Sequence, residues 1–284
     1  MKKWKVTYYA GIIVAVLAVL GIIVLEVVKY RRQAELNQLR TVAVAGDYSA
    51  NEPLPTVPYP EGTVETVIVD ENGESSTVIV DEGLINPVDF TQLWDTNYDI
   101  YAWLRIPGTP IDYPMLHRLG SFEETDYYLR RDYRGEVSSG GSIYTQAYYN
   151  QNFNEDPITV IYGHHLLGGA LFGCLDSYDH DLEFREANRN VYVYMPYHSY
   201  RYRVVACLYR SNANIMYQYG GMYVEAGQGD FEDFVEDFNN GSFGTGWIED
   251  GFVASTDDHY VILSTCCGDR SRRMVVVTVR EEML

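Results

Sequence analysis

Hydrophobic positions along this chain follow two different rhythms. Residues 8–25 are apolar and uncharged throughout, about the shortest stretch that spans the hydrocarbon of a bilayer as a helix. From residue 86 onward the apolar residues come in short β-branched and aromatic runs broken by Gly, Pro, Asn and Asp, the pattern of strands joined by turns. Strands are predicted at 102–106, 111–116, 158–162, 191–195 and 202–209, with 127–129 and 140–144 continuing the β-rich pattern. Residues 260–263 and 274–279 form a last pair of runs around the polar loop 268–272. Helices are fewer: 87–97, 170–178, 182–187 and, most clearly, 230–238. There Phe231, Phe234, Val235 and Phe238 repeat at i, i+3, i+4 and i+7 behind Asp230, a good N-cap residue. The folded part is therefore predicted to be mostly β, a closed or partly closed barrel with helices in its connections.

Between the two regimes lies a stretch with neither rhythm. Residues 30–39 read as a polar continuation of the apolar helix, and 46–62 carry Pro53, Pro55, Pro58 and Pro60 among small and acidic residues, as an extended spacer does. Thr66-Val-Ile-Val-Asp70 is echoed by Thr77-Val-Ile-Val-Asp81 with Asn72-Gly73 between, which predicts a small β-hairpin. The chain accordingly divides into an anchor and its stub (1–29), a stalk (30–85) and a folded domain (86–284). An apolar stretch near an N-terminus also suits a signal peptide, but the Ala43-Val44-Ala45 triplet lies too far beyond it for ordinary cleavage. A retained single-pass anchor over residues 8–28 is expected. Lys2, Lys3 and Lys5 precede it and Lys29, Arg31 and Arg32 follow, so flanking charge alone leaves its orientation open.

Charge narrows the possible partners. Of the 21 basic residues seven lie in the first forty, against two of the 40 acidic ones, so the remainder carries a net −24 compared with −19 for the whole chain. Such a domain repels nucleic acid and anionic lipid surfaces. Four cysteines are too few for a disulfide-built scaffold. Cys174 and Cys207 sit in apolar surroundings and are expected in the core.

Candidate chemistry concentrates in the last two runs. If they pair, Cys266 at the end of one strand lies beside Arg273 at the start of the next, and a thiol beside a fixed cation at a sheet edge suits acyl transfer. A core hairpin with a chance surface cysteine reads equally well at this point. Among six histidines, His259 is about 23 Å from Cys266 along an extended strand; His117, His180 and His198 fall in polar, surface-like settings. His164 ends an apolar strand at a glycine turn and is the best imidazole candidate, with His165 as its neighbour. Zinc held by His164, His165, Cys266 and Cys267 is disfavoured, because adjacent strand residues point to opposite faces. No EF-hand spacing is present, and neither metal nor cofactor is expected.

Taken together, these motifs resemble a known family. Leu263-Ser-Thr-Cys266 followed by Arg273 and a valine run resembles the catalytic end of sortases, the cysteine transpeptidases of Gram-positive surfaces, and Tyr162-Gly163-His164 resembles their histidine motif. The stretches 103–114 (WLRIPGTPIDYP), 126–129 (DYYL) and 141–144 (GSIY) look like class B sortases in particular. The likeness spans about 86–280. It implies the sortase barrel, with Cys266 as nucleophile, His164 as imidazole partner and Arg273, ahead of Arg272, as the oxyanion-side cation. Ser264, Thr265 and Cys267 would line the substrate groove, the last through its N–H. It also implies cleavage after Thr in a C-terminal sorting motif of surface proteins, transfer to an amine of peptidoglycan or its lipid-linked precursor, and an N-terminus inside the cell. The short loop before Arg273, and Gly268 where an acidic residue is often found, depart from the family pattern and bear on substrate preference. A cysteine endopeptidase and a non-catalytic peptide-binding β-domain are the alternatives.

Overall fold

The computed structural model describes residues 2–44, 49–54, 57–58, 65–69, 75–79, 84–120, 124–149, 152–166, 168–220, 230–267 and 269–283. Two compact units divide the chain at Val44. The first is one helix, α1 (Lys2–Ala43), which carries the apolar stretch and its polar continuation without a break. It is the one helix among the described residues long and apolar enough to cross a membrane.

In the second unit the strands close on themselves. After β1 (Val57–Pro58), β2 (Glu65–Val69), β3 (Ser75–Ile79), β4 (Leu84–Ile85) and α2 (Phe90–Thr96) come β5 (Ile100–Arg105), β6 (Asp112–His117), β7 (Ile143–Thr145) and β8 (Ile158–Tyr162). Then follow α3 (Ser177–His180), α4 (Leu182–Ala187), β9 (Asn190–Tyr194), β10 (Ser199–Ser211), α5 (Ile215–Tyr219), α6 (Phe231–Asn240), β11 (Thr245–Ile248), β12 (Tyr260–Cys267) and β13 (Asp269–Met283). Around the barrel the order is β5-β6-β7-β8-β12-β13-β10-β9, and β9 returns to β5. β11 is added to the free end of β10 beyond β9. Closure removes the unpaired edges that would otherwise invite association. β2 and β3 pair with each other as a separate hairpin, whose Asn72-Gly73 turn lies outside the described residues.

The apolar stripe of 230–238 does what its spacing requires. Phe234 and Phe238 are buried, with Phe231 and Val235 packed around them, against Tyr260, Ile262, Val275, Val277 and Val279 of the sheet and Ile215 and Met216 of α5. Each such side chain contributes about 1.5–3 kcal/mol on burial. Asp230 caps α6 through a reciprocal capping box with Asp233, and Gly241 ends it at φ +83°. Asp89 caps α2 from one side only, accepting from the N–H groups of Thr91 and Gln92. A hydrogen bond from the Thr91 hydroxyl holds its carboxyl below the usual range.

Several local expectations change. Residues 170–178 are not a helix: the backbone turns through Gly168, Gly169 and Leu171, all at positive φ, and only Ser177–His180 is helical. A Cβ on Gly173 would meet the Leu166 carbonyl at 2.2 Å, so the loop is packed too tightly to wind up. The aromatic run expected as β at 127–129 is a 3-10 turn, Tyr127–Arg130. The polar loop 268–272 is mostly strand, because β13 already starts at Asp269. His117 is not a surface residue; it lies on β6, bonded to the Thr145 hydroxyl at 2.8 Å, and burial lowers its pKa.

One buried ion pair fastens the segment 49–52 to the barrel. Arg105, 2 % exposed, donates to Asp112 at 2.6 Å and to the carbonyls of Ser49 and Glu52. Asp112 also accepts from the Trp103 indole at 2.6 Å. Removing one member of such a pair strands the other charge out of water. Arg105→Met should therefore cost about 3–5 kcal/mol, read as a lower denaturant midpoint. A midpoint equal to the parent's would refute this account.

Candidate active site

Strand register assembles the site. Cys266 on β12 lies directly opposite Arg273 on β13, and Arg273 lies directly opposite Arg210 on β10. On the other side β8 runs parallel to β12 with Tyr162 opposite Ser264, and the Gly163 N–H continues the ladder to the Ser264 carbonyl at 3.2 Å. His164 follows Tyr162 by two residues, as Cys266 follows Ser264. Side chains level across a sheet share a face, so Cys266, Arg273 and Arg210 form one row across three neighbouring strands, and His164 reaches the same cavity from just past the end of β8. All four line a single cavity of about 240 Å³, together with Asp126, Tyr144, Tyr162, Ser264 and Thr265.

Each position has a local cause. The β12 side chains are buried through Thr265, and Cys266 is the first exposed one. A register shift between Cys266 and Cys267 sets Cys267 opposite Asp269. Gly163 lets β8 pass close to its neighbours: a Cβ there would meet Ile143 at 2.6 Å and the Phe172 ring at 2.7 Å. The half-buried His164 ring bonds through Nε2 to the Leu129 carbonyl at 2.7 Å. Arg210, 7 % exposed, lies over the Phe243 ring at 4.4 Å and donates to Gln218.

The surroundings separate reactive groups from inert ones. Burial pushes the Cys174 and Cys207 thiols up to about 12, whereas Cys266 is exposed. Burial, then the nearby Asp126 charge, holds the Tyr144 phenol well above its usual value, and Tyr162 is raised for the same two reasons. Both remain protonated donors on the cavity wall. Tyr144 donates to Asp126 at 2.9 Å, and Gln146 donates to the same oxygen at 3.0 Å.

Ser264, Thr265, His164, Cys266 and Arg273 are thus brought together. Cys267 is not among the cavity-lining residues. Arg272, one residue along, lies over the Tyr209 ring at 5.3 Å. His165 turns to Asp176 at 3.4 Å, and His259 bonds Arg280. Asp126, Gln146 and Arg210 were missed as site residues. The first belongs to the motif 126–129, but nothing local marks Arg210, which reaches the site only through pairing of β10 with β13.

A closed barrel that presents a thiol, an imidazole and a guanidinium to one cavity has the parts of a cysteine acyl-transfer enzyme. No protein-family model matches the chain, but relatives do. It is 30 % identical over 179 residues to sortase B of Listeria monocytogenes, covering 63 % of this chain and 67 % of that protein. It is 26 % identical over 191 residues to sortase B of Staphylococcus aureus, covering 66 % and 72 %. Among solved structures, Clostridium perfringens sortase B superposes with a TM-score of 0.56 at 22 % identity, over 68 % of this chain and all of that one. Staphylococcus aureus sortase B gives 0.56 at 24 %, over 70 % and 88 %. The chain belongs to the class B sortases, a family of cysteine transpeptidases.

Thiol accessibility gives a direct check. At pH 8, iodoacetamide should modify Cys266 while the buried Cys207 and the half-buried Cys174 stay intact until the protein is denatured. Because desolvation pushes both thiols up to about 12, raising the pH to about 10 should not make them reactive. Mass spectrometry showing either one labelled ahead of Cys266 would contradict the burial described.

Proposed function

We propose that this chain is a membrane-anchored sortase that cleaves a C-terminal sorting motif of surface proteins after Thr and joins the acyl fragment to a cell-wall amine. The observation that carries the reading is that His164, Cys266 and Arg273 line one cavity, the last two directly opposite each other on paired strands. The Cys266 thiol passes its proton to His164, and the thiolate attacks the carbonyl carbon. The resulting oxyanion is held by Arg273. As the C–N bond breaks, His164 returns the proton to the leaving amine and a thioester remains. An amine of peptidoglycan or its lipid-linked precursor then attacks the thioester, gives its proton to the imidazole and releases Cys266. Ser264 and Thr265 line the groove, and Cys267 contributes its N–H.

In the same reading, residues 1–29 are a cytoplasmic stub and anchor, 30–85 a stalk, and 86–284 the catalytic domain outside the cell. A single apolar helix near the N-terminus supports a single-pass topology.

The test offers sorting-motif peptides to the full chain in detergent, with and without an amine acceptor. Cys266→Ala and His164→Ala should abolish joining, and Arg273→Ala should reduce kcat by about 10²–10³-fold with the fold intact. Arg272→Ala should leave the reaction near the parent's. Hydrolysis alone at saturating amine would identify an endopeptidase instead, and loss in Arg272→Ala with Arg273→Ala active would move the cation by one residue.

A further inference from the structure

A catalytic imidazole has two nitrogens, and it works only if the correct one is free. His164 Nε2 lies 2.7 Å from the main-chain carbonyl of Leu129. A carbonyl has no proton to give, so Nε2 carries the hydrogen and, in the neutral ring, Nδ1 is the acceptor. Bases of this kind are normally oriented by a third group, commonly a carboxylate or an amide side chain. Among the described residues no carboxylate forms an ion pair with His164, whereas the neighbouring His165 does have one, Asp176.

The carbonyl is itself held firmly. In the stretch 128–131 the carbonyls on either side of it are occupied by the facing loop. Tyr128 accepts from the Ser142 N–H at 3.1 Å and Arg130 from the Ser138 N–H at 2.9 Å, while Arg131 accepts from the Ser142 hydroxyl at 2.8 Å. Leu129 alone of the four is turned to the imidazole. Its own N–H donates to the Asp126 main-chain carbonyl at 3.0 Å. The facing loop crosses this hydrogen bond at Gly141, where φ is +55° and a Cβ would meet the Leu129 oxygen at 2.4 Å and His164 Cδ2 at 3.0 Å. A side chain there is excluded twice over, by backbone conformation and by the bond it would displace.

We propose that the Leu129 carbonyl is the orienting third member of the site and Gly141 the positioning residue that keeps it there. Together they hold His164 as the Nε2–H tautomer, so that all proton traffic runs through Nδ1. This rests on reading His164 as the imidazole partner of Cys266. The Cys266 proton moves from Sγ to Nδ1, then from Nδ1 to the leaving amine as the C–N bond breaks. Nδ1 next takes a proton from the incoming amine, and the Nε2 proton never leaves.

The full chain, labelled with ¹⁵N-histidine in detergent micelles, tests this by long-range ¹H–¹⁵N spectra, with His164→Gln to assign the ring. At a pH where the ring is neutral, a pyrrole-type Nε2 and a pyridine-type Nδ1 are expected; the reverse assignment overturns the proposal. Gly141→Ala should broaden or mix the two tautomer signals and lower kcat by at least about tenfold while KM changes little. An unmixed tautomer together with parental kcat in a folded Gly141→Ala would overturn the role of Gly141. If that variant does not fold, the wild-type spectrum still decides the tautomer. Joining activity retained in His164→Ala would overturn the proton route with the catalytic reading itself, even where the Nε2–H signal is present in the parent.

Discussion

Everything in this site depends on strand register where β8, β12, β13 and β10 end together. Side chains on a strand alternate faces, so a slip of one residue would turn Cys266 inward and offer a different side chain to the cavity. The register is secured well below the site. Tyr260 to Leu263 and Met274 to Val277 are buried almost completely, and the Thr278 hydroxyl bonds the Val261 carbonyl at 2.9 Å. Shifting either strand would expose several of these residues at once, each at about 1.5–3 kcal/mol. The core thus pins a thiol and a guanidinium that contribute little to stability themselves.

That core also explains why the site sits where it does. The face of β12 and β13 that carries Tyr260, Ile262, Val275 and Val277 is covered by α5 and α6. Cys266 and Arg273 lie on the same face just past the end of the cover, at the first level open to solvent. α5 contributes more than packing: Arg210 donates to its Gln218, and the segment leading into it, from Ser211 to Asn214, lines the cavity. The site is the unfinished end of a packed layer.

How much of this could be read from the sequence follows the range of the interactions involved. The α6 stripe, its Asp230 cap and the strands of the final hairpin were legible because their signals are local in spacing. So was the meeting of Cys266 with Arg273, since a hairpin links residues close in sequence. His164 needed a parallel pairing between strands about a hundred residues apart; its place at a strand end beside a glycine made it the best candidate, and the resemblance of its motif to a family supplied the link. Arg210, Asp126 and the Leu129 carbonyl were not legible as site groups; the first is positioned by a long antiparallel pairing and the last is backbone, without a side-chain signal. The helix expected at 170–178 failed for the opposite reason. Its composition suits a helix, but the glycines before it and the close approach of Gly173 to Leu166 override propensity through packing.

The row also sets the electrostatics of the cavity. Two guanidiniums directly opposite each other cost about 0.2–1 kcal/mol on a sheet surface. Arg210 offsets this by lying over Phe243 at 4.4 Å, a contact worth about 0.5–2 kcal/mol once desolvated. On the same cavity wall Asp126 is held by the Tyr144 phenol and the Gln146 amide. The phenols, raised by burial, stay neutral donors and add no negative charge of their own. The cavity wall therefore carries charge of both signs, with Cys266 next to Arg273. In a domain whose net charge is strongly negative, that arrangement must be built from fixed side chains. On the reading proposed above, a guanidinium in place before substrate arrives needs no reorganisation when negative charge develops on the attacked carbonyl.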